Sequence, residues 1–287
     1  MSVILEVNKL RKEYKDFTLR DISFSLERGY IMGFIGPNGA GKSTTIKLIM
    51  NLLKKDGGTV KILGLDSVEN EIEVKERIGF VYDQNYYYDE LTIGETKKVI
   101  APFYHQWDDT LYNKYLKLFD LDSRKKIKDL SKGIQMKFSL TMALSHHAEL
   151  LIMDEPTSGL DPVVRRELLQ ILMDILQDEK KGIFFSTHIT SDLDRVADYI
   201  TFINKGEIAL STSKDHILEN YGIVKGKKAF LEQCEIENLI GVRENRFGFE
   251  ALTKDKNKTR KLFGDKVIID KPTLEDIMFF HIDEEVM

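Results

Sequence analysis

One segment constrains the fold of this chain more than any other, and it reads Gly36-Pro37-Asn38-Gly39-Ala40-Gly41-Lys42-Ser43-Thr44. The apolar run at residues 30–35 predicts a central strand covered on both faces before it, and the pattern at residues 45–53 predicts a helix after it. A strand, a glycine-rich loop and a helix N-terminus build an anion site from backbone N–H groups. The segment therefore predicts a nucleoside triphosphate site, in which Lys42 reaches the β- and γ-phosphates and the Ser43 hydroxyl is a ligand of Mg²⁺.

A second motif follows another apolar run. Residues 150–153 read Leu-Leu-Ile-Met and predict a buried strand, after which Asp154 and Glu155 stand side by side. Ligands of open α/β sheets bind at the carboxyl ends of the strands. We therefore expect Asp154 to hold Mg²⁺, directly or through water, and Glu155 to orient and deprotonate an attacking water. A single acid at a strand end is common, but two acids in a chain with such a loop favour hydrolysis.

The predicted elements indicate an α/β protein with a helical insertion between two stretches of one sheet. Strand patterns come first, a helical pattern fills residues 91–144, and strands alternate with helices from residue 150 onward. The early strand patterns lie at residues 3–7, 22–26, 59–63 and 78–82. We place one domain at residues 1–225, with a helical subdomain at about 91–146. A small α+β accessory domain is predicted at 226–287, where the composition becomes more polar.

Composition limits the classes that remain. No apolar run approaches the roughly 20 residues that a membrane span needs, and the first residues lack the pattern of a signal peptide. The single Cys234 excludes an internal disulfide and fits a reducing compartment. A net charge of −5 does not favour broad nucleic-acid binding. We expect a cytoplasmic protein, in which any membrane span belongs to another chain.

Three further motifs complete an ordered set that resembles the set of ABC-type ATPases, the nucleotide-binding subunits of ABC transporters. Residues 130–135, Leu-Ser-Lys-Gly-Ile-Gln, are similar to the signature Leu-Ser-Gly-Gly-Gln and precede Asp154 by about twenty residues. Residues 158–161, Ser-Gly-Leu-Asp, match the loop after the glutamate, and His188 matches the switch histidine. The phosphate loop alone occurs in many NTPases, whereas the full set is specific to ABC proteins. The resemblance covers residues 3–222 and implies a P-loop NTPase (RecA-like) core with an antiparallel β subdomain.

The resemblance also implies a dimer that is held together by ATP. Ser131 and Gly133 of one subunit would close on ATP bound by residues 36–44 of a second subunit, and Asp161 would lie at the same interface. The second ATPase subunit can be identical or different on this basis. The other implied partners are integral membrane permease subunits. The implied location is cytoplasmic, peripheral on the inner face of the cell membrane.

Further residue roles come from the same resemblance. His188 would contact the γ-phosphate. Tyr14 fits the position of the aromatic residue that stacks on adenine, with Phe17 as the competing candidate. The family places a glutamine in the loop before the helical insertion, where it contacts Mg²⁺ and water. Spacing from Leu91-Thr92 puts Asp83 there, and a shift by one residue would put Gln84 there; both stay open.

The signature departs from the family pattern at two positions. Lys132 replaces a glycine, and Ile134 replaces the glutamine. Ser131 and Gly133, which the family uses for the anion contacts, are kept. The strength of the contact with the second nucleotide is therefore left open.

Residues 83–90 contain three consecutive tyrosines, Tyr86, Tyr87 and Tyr88, in the region where the family docks its permease. Tyrosine is enriched at interfaces, and partial burial within the helical insertion is the alternative. Phe103, Tyr104 and Trp107 are candidates for the same groove. The Phe103-Tyr104, Trp107-Asp108 and His146-His147 context resembles the branch that serves bacitracin-type, antimicrobial-peptide and phenol-soluble-modulin exporters, which favours export.

Rival classes lack features that the sequence would have to show. Soluble ABC ATPases of DNA repair or chromosome structure carry long heptad coiled coils, whereas only about ninety residues separate Lys42 from Ser131. Ribosome-associated ABC factors normally carry two cassettes, and a P-loop kinase would not need the signature or His188. A soluble, non-transport ABC ATPase remains the alternative to a transporter subunit.

Overall fold

The computed structural model describes residues 2–83, 86–229 and 239–283. Its strands are β1 (Val3–Glu13), β2 (Thr18–Glu27), β3 (Ile31–Ile35), β4 (Gly57–Ile62), β5 (Leu65–Asp66), β6 (Ile78–Val81), β7 (Leu150–Asp154), β8 (Gly182–Thr187), β9 (Tyr199–Asn204), β10 (Glu207–Ser213), β11 (Gly222–Gly226), β12 (Leu239–Asn245), β13 (Gly248–Thr253) and β14 (Val267–Asp270). Its helices are α1 (Lys42–Ile49), α2 (Glu71–Glu76), α3 (Ile93–Ile100), α4 (Asp109–Leu118), α5 (Lys132–Leu144), α6 (Pro162–Ile175), α7 (Thr190–Val196), α8 (Lys214–Asn220), α9 (Lys256–Phe263) and α10 (Leu274–Asp283). No helix within these described ranges is long and apolar enough to cross a bilayer.

A six-stranded sheet in the order β10-β9-β3-β8-β7-β6 forms the centre of the molecule. Strand β3 is buried at all five residues and pairs in parallel with β8 and β9, as its uninterrupted apolar run predicts. Strand β6 precedes the helical insertion and β7 follows it, and the two pair in parallel. The prediction of an insertion between two stretches of one sheet is therefore confirmed.

A second sheet in the order β2-β1-β4-β5 packs against the central sheet. The rings of Phe24 in β2 and Phe184 in β8 stack at 5.4 Å with an angle of 3° between their planes. Both β1 and β2 extend further than the apolar alternation predicts. The residues added at their ends are largely polar, as in the pairs of Lys12 with Leu19 and of Glu13 with Thr18. Backbone pairing between the two strands, and not a hydrophobic pattern, therefore extends them.

The helical insertion contains α3, α4 and α5, each begun by a side chain that accepts backbone N–H groups. Thr92 and Glu95 form a capping box at α3, and Asp108 caps α4. Ser131 caps α5, and this helix begins at Lys132. The same cap fixes the signature segment at a helix N-terminus.

The C-terminal unit is an antiparallel sheet in the order β12-β13-β11-β14 with α9 and α10. Strand β11 belongs to this sheet although the predicted accessory domain begins at residue 226; the domain boundary stays a prediction. Helix α10 packs against α7 of the ATPase core, and Ile277 and Phe280 are buried in the same hydrophobic cluster as Phe202 of the central sheet. Cys234 lies outside the described residues.

Replacement of Phe280 by alanine should therefore destabilise both units together. Phe280 is 3% exposed, and a buried Phe→Ala change costs about 3–5 kcal/mol of unfolding free energy. Trp107, the only tryptophan, lies in the helical insertion, so its fluorescence during urea unfolding reports on a part remote in sequence from Phe280. Phe279→Ala is the matched control, because Phe279 is 40% exposed. An unchanged Trp107 transition in Phe280→Ala would mean that the units unfold independently.

Candidate functional site

A cavity of about 450 Å³ opens where the phosphate loop meets the residues that follow β7 and β8. Six of the nine loop residues line it: Asn38, Gly39, Gly41, Lys42, Ser43 and Thr44. The other lining residues come from four separate segments: Phe17, Asp83, Glu155, Ser158 and His188. Most of the residues that the sequence predicts to bind the nucleotide of their own chain thus line one cavity.

Two glycines of the loop have no room for a side chain. A Cβ at Gly36 would lie 2.3 Å from the carbonyl oxygen of Ile203, so only glycine lets β3 and β9 approach at this point. Gly41 has φ +111°, a left-handed conformation, and a Cβ there would lie 2.6 Å from Leu19. Within the loop, residues 37–40 form a turn, in which the N–H of Ala40 donates to the Pro37 carbonyl.

Lys42 begins α1, and its ammonium turns back over the loop. Nζ donates to the carbonyl oxygens of Gly36 at 2.8 Å and Pro37 at 3.3 Å, and it lies 3.3 Å from Oε1 of Glu155. The side chain is only 6% exposed. A buried ammonium is thereby held between carbonyl oxygens and a carboxylate, at the N-terminus of a helix.

The two acids occupy different environments. Asp154 ends β7, is 2% exposed, and accepts a hydrogen bond at 2.5 Å from the Ser186 hydroxyl in β8. Glu155 has φ +49°, which is rare for a residue with a side chain, and its N–H donates to Ser186. Ser186 therefore fixes both acids. Sequence reasoning missed it, because a serine next to Thr187 at the end of a strand carries no local signal of this contact.

His188 approaches the same carboxylate from the other side. Its Nδ1 lies 2.8 Å from Oε2 of Glu155, where the Nδ1–H form donates, and its backbone N–H donates to the same oxygen at 3.3 Å. The Glu155 carboxylate thus has the Lys42 ammonium on one oxygen and the His188 ring on the other. Residues separated by more than a hundred positions in the sequence converge on one group.

The signature lies beside the loop after Glu155, and apart from Ser158 of that loop neither segment lines the cavity. Ser131 caps α5, and a Cβ at Gly133 would lie 2.8 Å from the side chain of Val164 in α6. Asp161 caps α6 and accepts hydrogen bonds from the N–H groups of Val163 and Val164. Ser131, Gly133 and Asp161 therefore form a surface separate from the cavity of their own chain.

The two candidates for the adenine position have different surroundings. Phe17 lines the cavity, and its ring atom Cζ lies 2.9 Å from where a Gly41 Cβ would stand. Tyr14 does not line the cavity; it is 44% exposed, and the Lys12 ammonium lies 5.7 Å from its ring centre. Asp83 also lines the cavity, whereas Gln84 lies outside the described residues. The adenine contact and the choice between Asp83 and Gln84 stay predictions.

The oxygen donors near the loop fit a small hard cation. The Ser43 hydroxyl is exposed, Asp83 lines the cavity, and Asp154 adjoins Glu155. Mg²⁺ typically binds one or two protein oxygens together with substrate phosphates and waters. Across the described ranges no three His, Cys, Asp or Glu side chains are grouped to hold a metal by themselves, so a phosphate-assisted site is the type that these donors fit.

The fold and the cavity define a P-loop ATPase, and comparison with known proteins gives the family. Residues 19–158 match the family model described as ABC transporter. The bacitracin transport ATP-binding protein of Bacillus licheniformis is 30% identical over 220 residues, which are 76% of this chain and 72% of the relative. The lantibiotic transport ATP-binding protein of Streptococcus pyogenes is 32% identical over 216 residues, 74% of this chain and 92% of the relative.

Solved structures agree with this assignment. The structure of an ATP-binding subunit of an ABC transporter superposes with a TM-score of 0.69 at 29% identity, covering 75% of this chain and 92% of the other. A dimeric ATP-binding cassette bound to ADP and Pi shares the fold, with a TM-score of 0.65 at 23% identity over 73% of this chain and 98% of the other. The chain belongs to the ABC transporter family, as an ATP-binding subunit that hydrolyses ATP. The relatives are transport proteins and do not support the alternative of a soluble, non-transport ABC ATPase.

Removal of the Ser186 hydroxyl should disturb both acids without touching the phosphate loop. We expect Ser186→Ala to lower kcat for ATP about tenfold or more, because misplacement of catalytic groups is costly even at sub-ångström scale. Steady-state ATPase assays at several Mg²⁺ concentrations measure this fall in kcat. Ser211→Ala is the control, since that hydroxyl bonds Thr201 on the adjoining strand, away from both acids. Equal kcat in both variants would show that the Ser186 bonds are dispensable.

Proposed function

We propose that this chain uses Mg²⁺ and ATP to drive export through separate membrane permease subunits, working as one of two ATPase subunits. The observation that carries the catalytic part is the position of Glu155, whose carboxylate lies between Lys42 and His188 in one cavity. Lys42 and the loop residues 36–44 would hold the triphosphate. Ser43, with Asp154 and Asp83 or Gln84, would hold Mg²⁺, which supplies charge neutralisation at the phosphates.

Glu155 is proposed as the group that orients the attacking water and accepts its proton. Its carboxylate already contacts two cationic or proton-donating side chains, which hold it at the lining of the cavity. When a γ-phosphate enters, Lys42 and His188 are the nearest groups with which it can pair. Binding of ATP would thus exchange the contacts of Glu155 and free its oxygens for water.

The dimer proposal is supported by the separation of the signature from the cavity. Ser131 and Gly133 lie at the exposed N-terminus of α5, next to Asp161 at the N-terminus of α6. Neither helix end lines the cavity of its own chain. A second subunit whose signature covers the nucleotide would complete the site, and both helix N-termini favour an anionic partner.

Glu155→Gln tests the hydrolytic role directly. The variant should bind ATP and accumulate as a dimer, while its phosphate release falls at least about 100-fold, because a general base contributes that much or more. Phosphate-release assays and size-exclusion chromatography with ATP measure the two effects. Lys42→Ala serves as the comparison and should lose both ATP binding and dimerisation. If Glu155→Gln hydrolyses ATP at the normal rate, Glu155 is not the base.

The permease docking site is proposed at a groove beside the tyrosine segment. This groove has a volume of about 410 Å³ and is lined by Leu52, Phe80, Tyr82, Tyr86, Tyr87 and Ser139. Tyr86 and Tyr88 are 67% and 73% exposed, so they are available to a partner. Tyr87 differs: its ring packs against Phe138 at 5.0 Å, and burial raises the pKa of its hydroxyl to about 12.

Tyr88 and the other three aromatic candidates do not line this groove. Tyr104 stacks on His146 at 3.9 Å, and Trp107 packs against Tyr112 at 5.6 Å. Phe103 is 76% exposed but does not line the groove. The expectation of a single groove shared by all six aromatic residues is therefore wrong, because Tyr104 and Trp107 are used to pack the helical insertion.

Replacement of Tyr86 and Tyr88 by alanine should uncouple the two subunit types. We expect the isolated chain to keep its ATPase rate within about twofold, since surface substitutions rarely disturb the fold. In proteoliposomes with the co-purified permease, stimulation of ATPase activity by the permease should disappear. Phe103→Ala is the matched control, because Phe103 is equally exposed and lies outside the tyrosine segment. Full stimulation in the double variant would exclude this docking site.

The proposals of export and of a location at the membrane rest on relatives and not on residues of this chain. Two relatives are named for bacitracin transport and for lantibiotic transport. We propose a place at the inner face of the cell membrane, bound through the groove. Residues 226–287 are proposed as an accessory unit that is fixed to the ATPase core by α10.

A further inference from the structure

A fully buried carboxylate lies outside the nucleotide cavity. Asp192 in α7 is 1% exposed. Its Oδ2 accepts a hydrogen bond at 2.6 Å from the hydroxyl of Thr157, and its Oδ1 accepts one at 2.5 Å from Nε of Arg165. Arg165 also donates through Nη2 to the Ser191 hydroxyl at 2.8 Å. Both carboxylate oxygens are thus bound by protein groups, and neither lines the cavity.

These contacts join three segments that carry site residues. Thr157 lies two positions after Glu155, in the loop that leads to Asp161. Arg165 lies in the first turn of α6. Its backbone N–H donates at 2.9 Å to the carbonyl oxygen of Asp161, which caps that helix. Asp192 itself lies four positions after His188. One carboxylate therefore ties together the turn at Glu155, the start of α6 and the segment after His188.

The turn at Glu155 needs such support. A residue with a side chain rarely adopts φ +49°, and conformations of this kind persist only when surrounding contacts fix them. Ser186 holds the backbone of Glu155 on one side. On the other side the chain turns, with the N–H of Ser158 donating to the Glu155 carbonyl, and Thr157 is the residue in this turn whose side chain is anchored, at Asp192.

The charge of Asp192 makes this anchor specific. A buried carboxylate is stable only when it is paired and hydrogen-bonded, so loss of either partner leaves an uncompensated charge. Thr157 is as buried as Asp192, at 1% exposed, and cannot exchange its bond for one with water. The arrangement therefore has few alternatives of similar energy, as a fixed relation between Glu155 and His188 requires.

We propose that Asp192 is a positioning residue for ATP hydrolysis, acting through Thr157 and Arg165 to hold Glu155 in register with His188 and with the start of α6. This inference rests on the proposed role of Glu155. Asp192 touches none of the reacting groups. Because α6 begins at Asp161, the same contact links the cavity of one subunit to the surface that we propose faces the second subunit.

Two substitutions of Thr157 separate positioning from packing. Thr157→Val keeps the volume and removes the hydroxyl; we expect kcat to fall about 10- to 100-fold while KM for ATP changes less than about threefold, since the phosphate loop is untouched. Thr157→Ser keeps the hydroxyl and leaves a methyl-sized gap, and it should retain at least about half of kcat. A packing role predicts the reverse order, because Ser leaves a cavity and Val does not.

Glu167→Gln supplies the matched control on the same helix. It breaks an ion pair of 2.8 Å between Glu167 and Lys137 of α5. Glu167 lies close to Arg165 in the sequence and does not contact Asp192. The variant should leave kcat within about twofold, because the Glu167 side chain is 48% exposed and exposed ion pairs contribute little. Thermal unfolding of each variant shows whether the assay temperature lies below its melting transition. Asp192→Asn, which keeps the acceptor for Thr157 and loses the charge facing Arg165, should also lower kcat.

The outcomes distinguish this inference from the proposed function. If Thr157→Val and Asp192→Asn hydrolyse ATP at the normal rate while Glu155→Gln does not, the positioning inference is wrong and the role of Glu155 stands. If Glu155→Gln is also fully active, the proposed role of Glu155 fails. If adding Thr157→Val to Glu155→Gln lowers kcat below that of Glu155→Gln alone, Thr157 does not act through Glu155.

Discussion

The parallel pairing of β8 with β3 and β7 is the constraint on which the site depends. In this register Ile35 lies beside Thr187, and Asp154 lies beside Ser186. The three strands therefore end together, and the loops that follow them deliver Lys42, Glu155 and His188 to one place. Each strand is fully buried and mostly apolar, so a slip in register would also lose core packing. The geometry of the cavity is thus held by the core of the sheet.

The parts that sequence predicts well are local. A strand, a glycine loop and a helix follow one another directly, so the phosphate loop could be identified from chemistry and spacing alone. Asp154 and Glu155 follow a run of apolar residues, which gives their position at a strand end. The order of motifs then gives the family. In each case the informative residues are neighbours in the chain, and the local signal is enough.

The parts that sequence did not predict depend on tertiary neighbours. Ser186 and Asp192 look like ordinary polar residues until β7 and β8, or α6 and α7, are placed side by side. Phe17, which the sequence offers only as the competitor of Tyr14, lines the cavity because the β1–β2 turn folds over Gly41, and no periodicity encodes this contact. Tyr87 has two exposed tyrosine neighbours and differs from them only because Phe138 is close. The boundary near residue 226 is blurred for the same reason, since β11 pairs with strands that come later in the chain.

The altered signature fits its own subunit closely. Lys132 replaces a glycine of the family pattern, and its ammonium lies only 3.0 Å from where a Cβ on Gly159 would stand. Gly159 also has φ +70°, a backbone conformation that favours glycine. The larger residue in the signature is therefore accommodated by a glycine in the loop after Glu155. Since that loop also carries Thr157, whose hydroxyl binds Asp192, the substituted signature contacts the same loop that the buried carboxylate anchors.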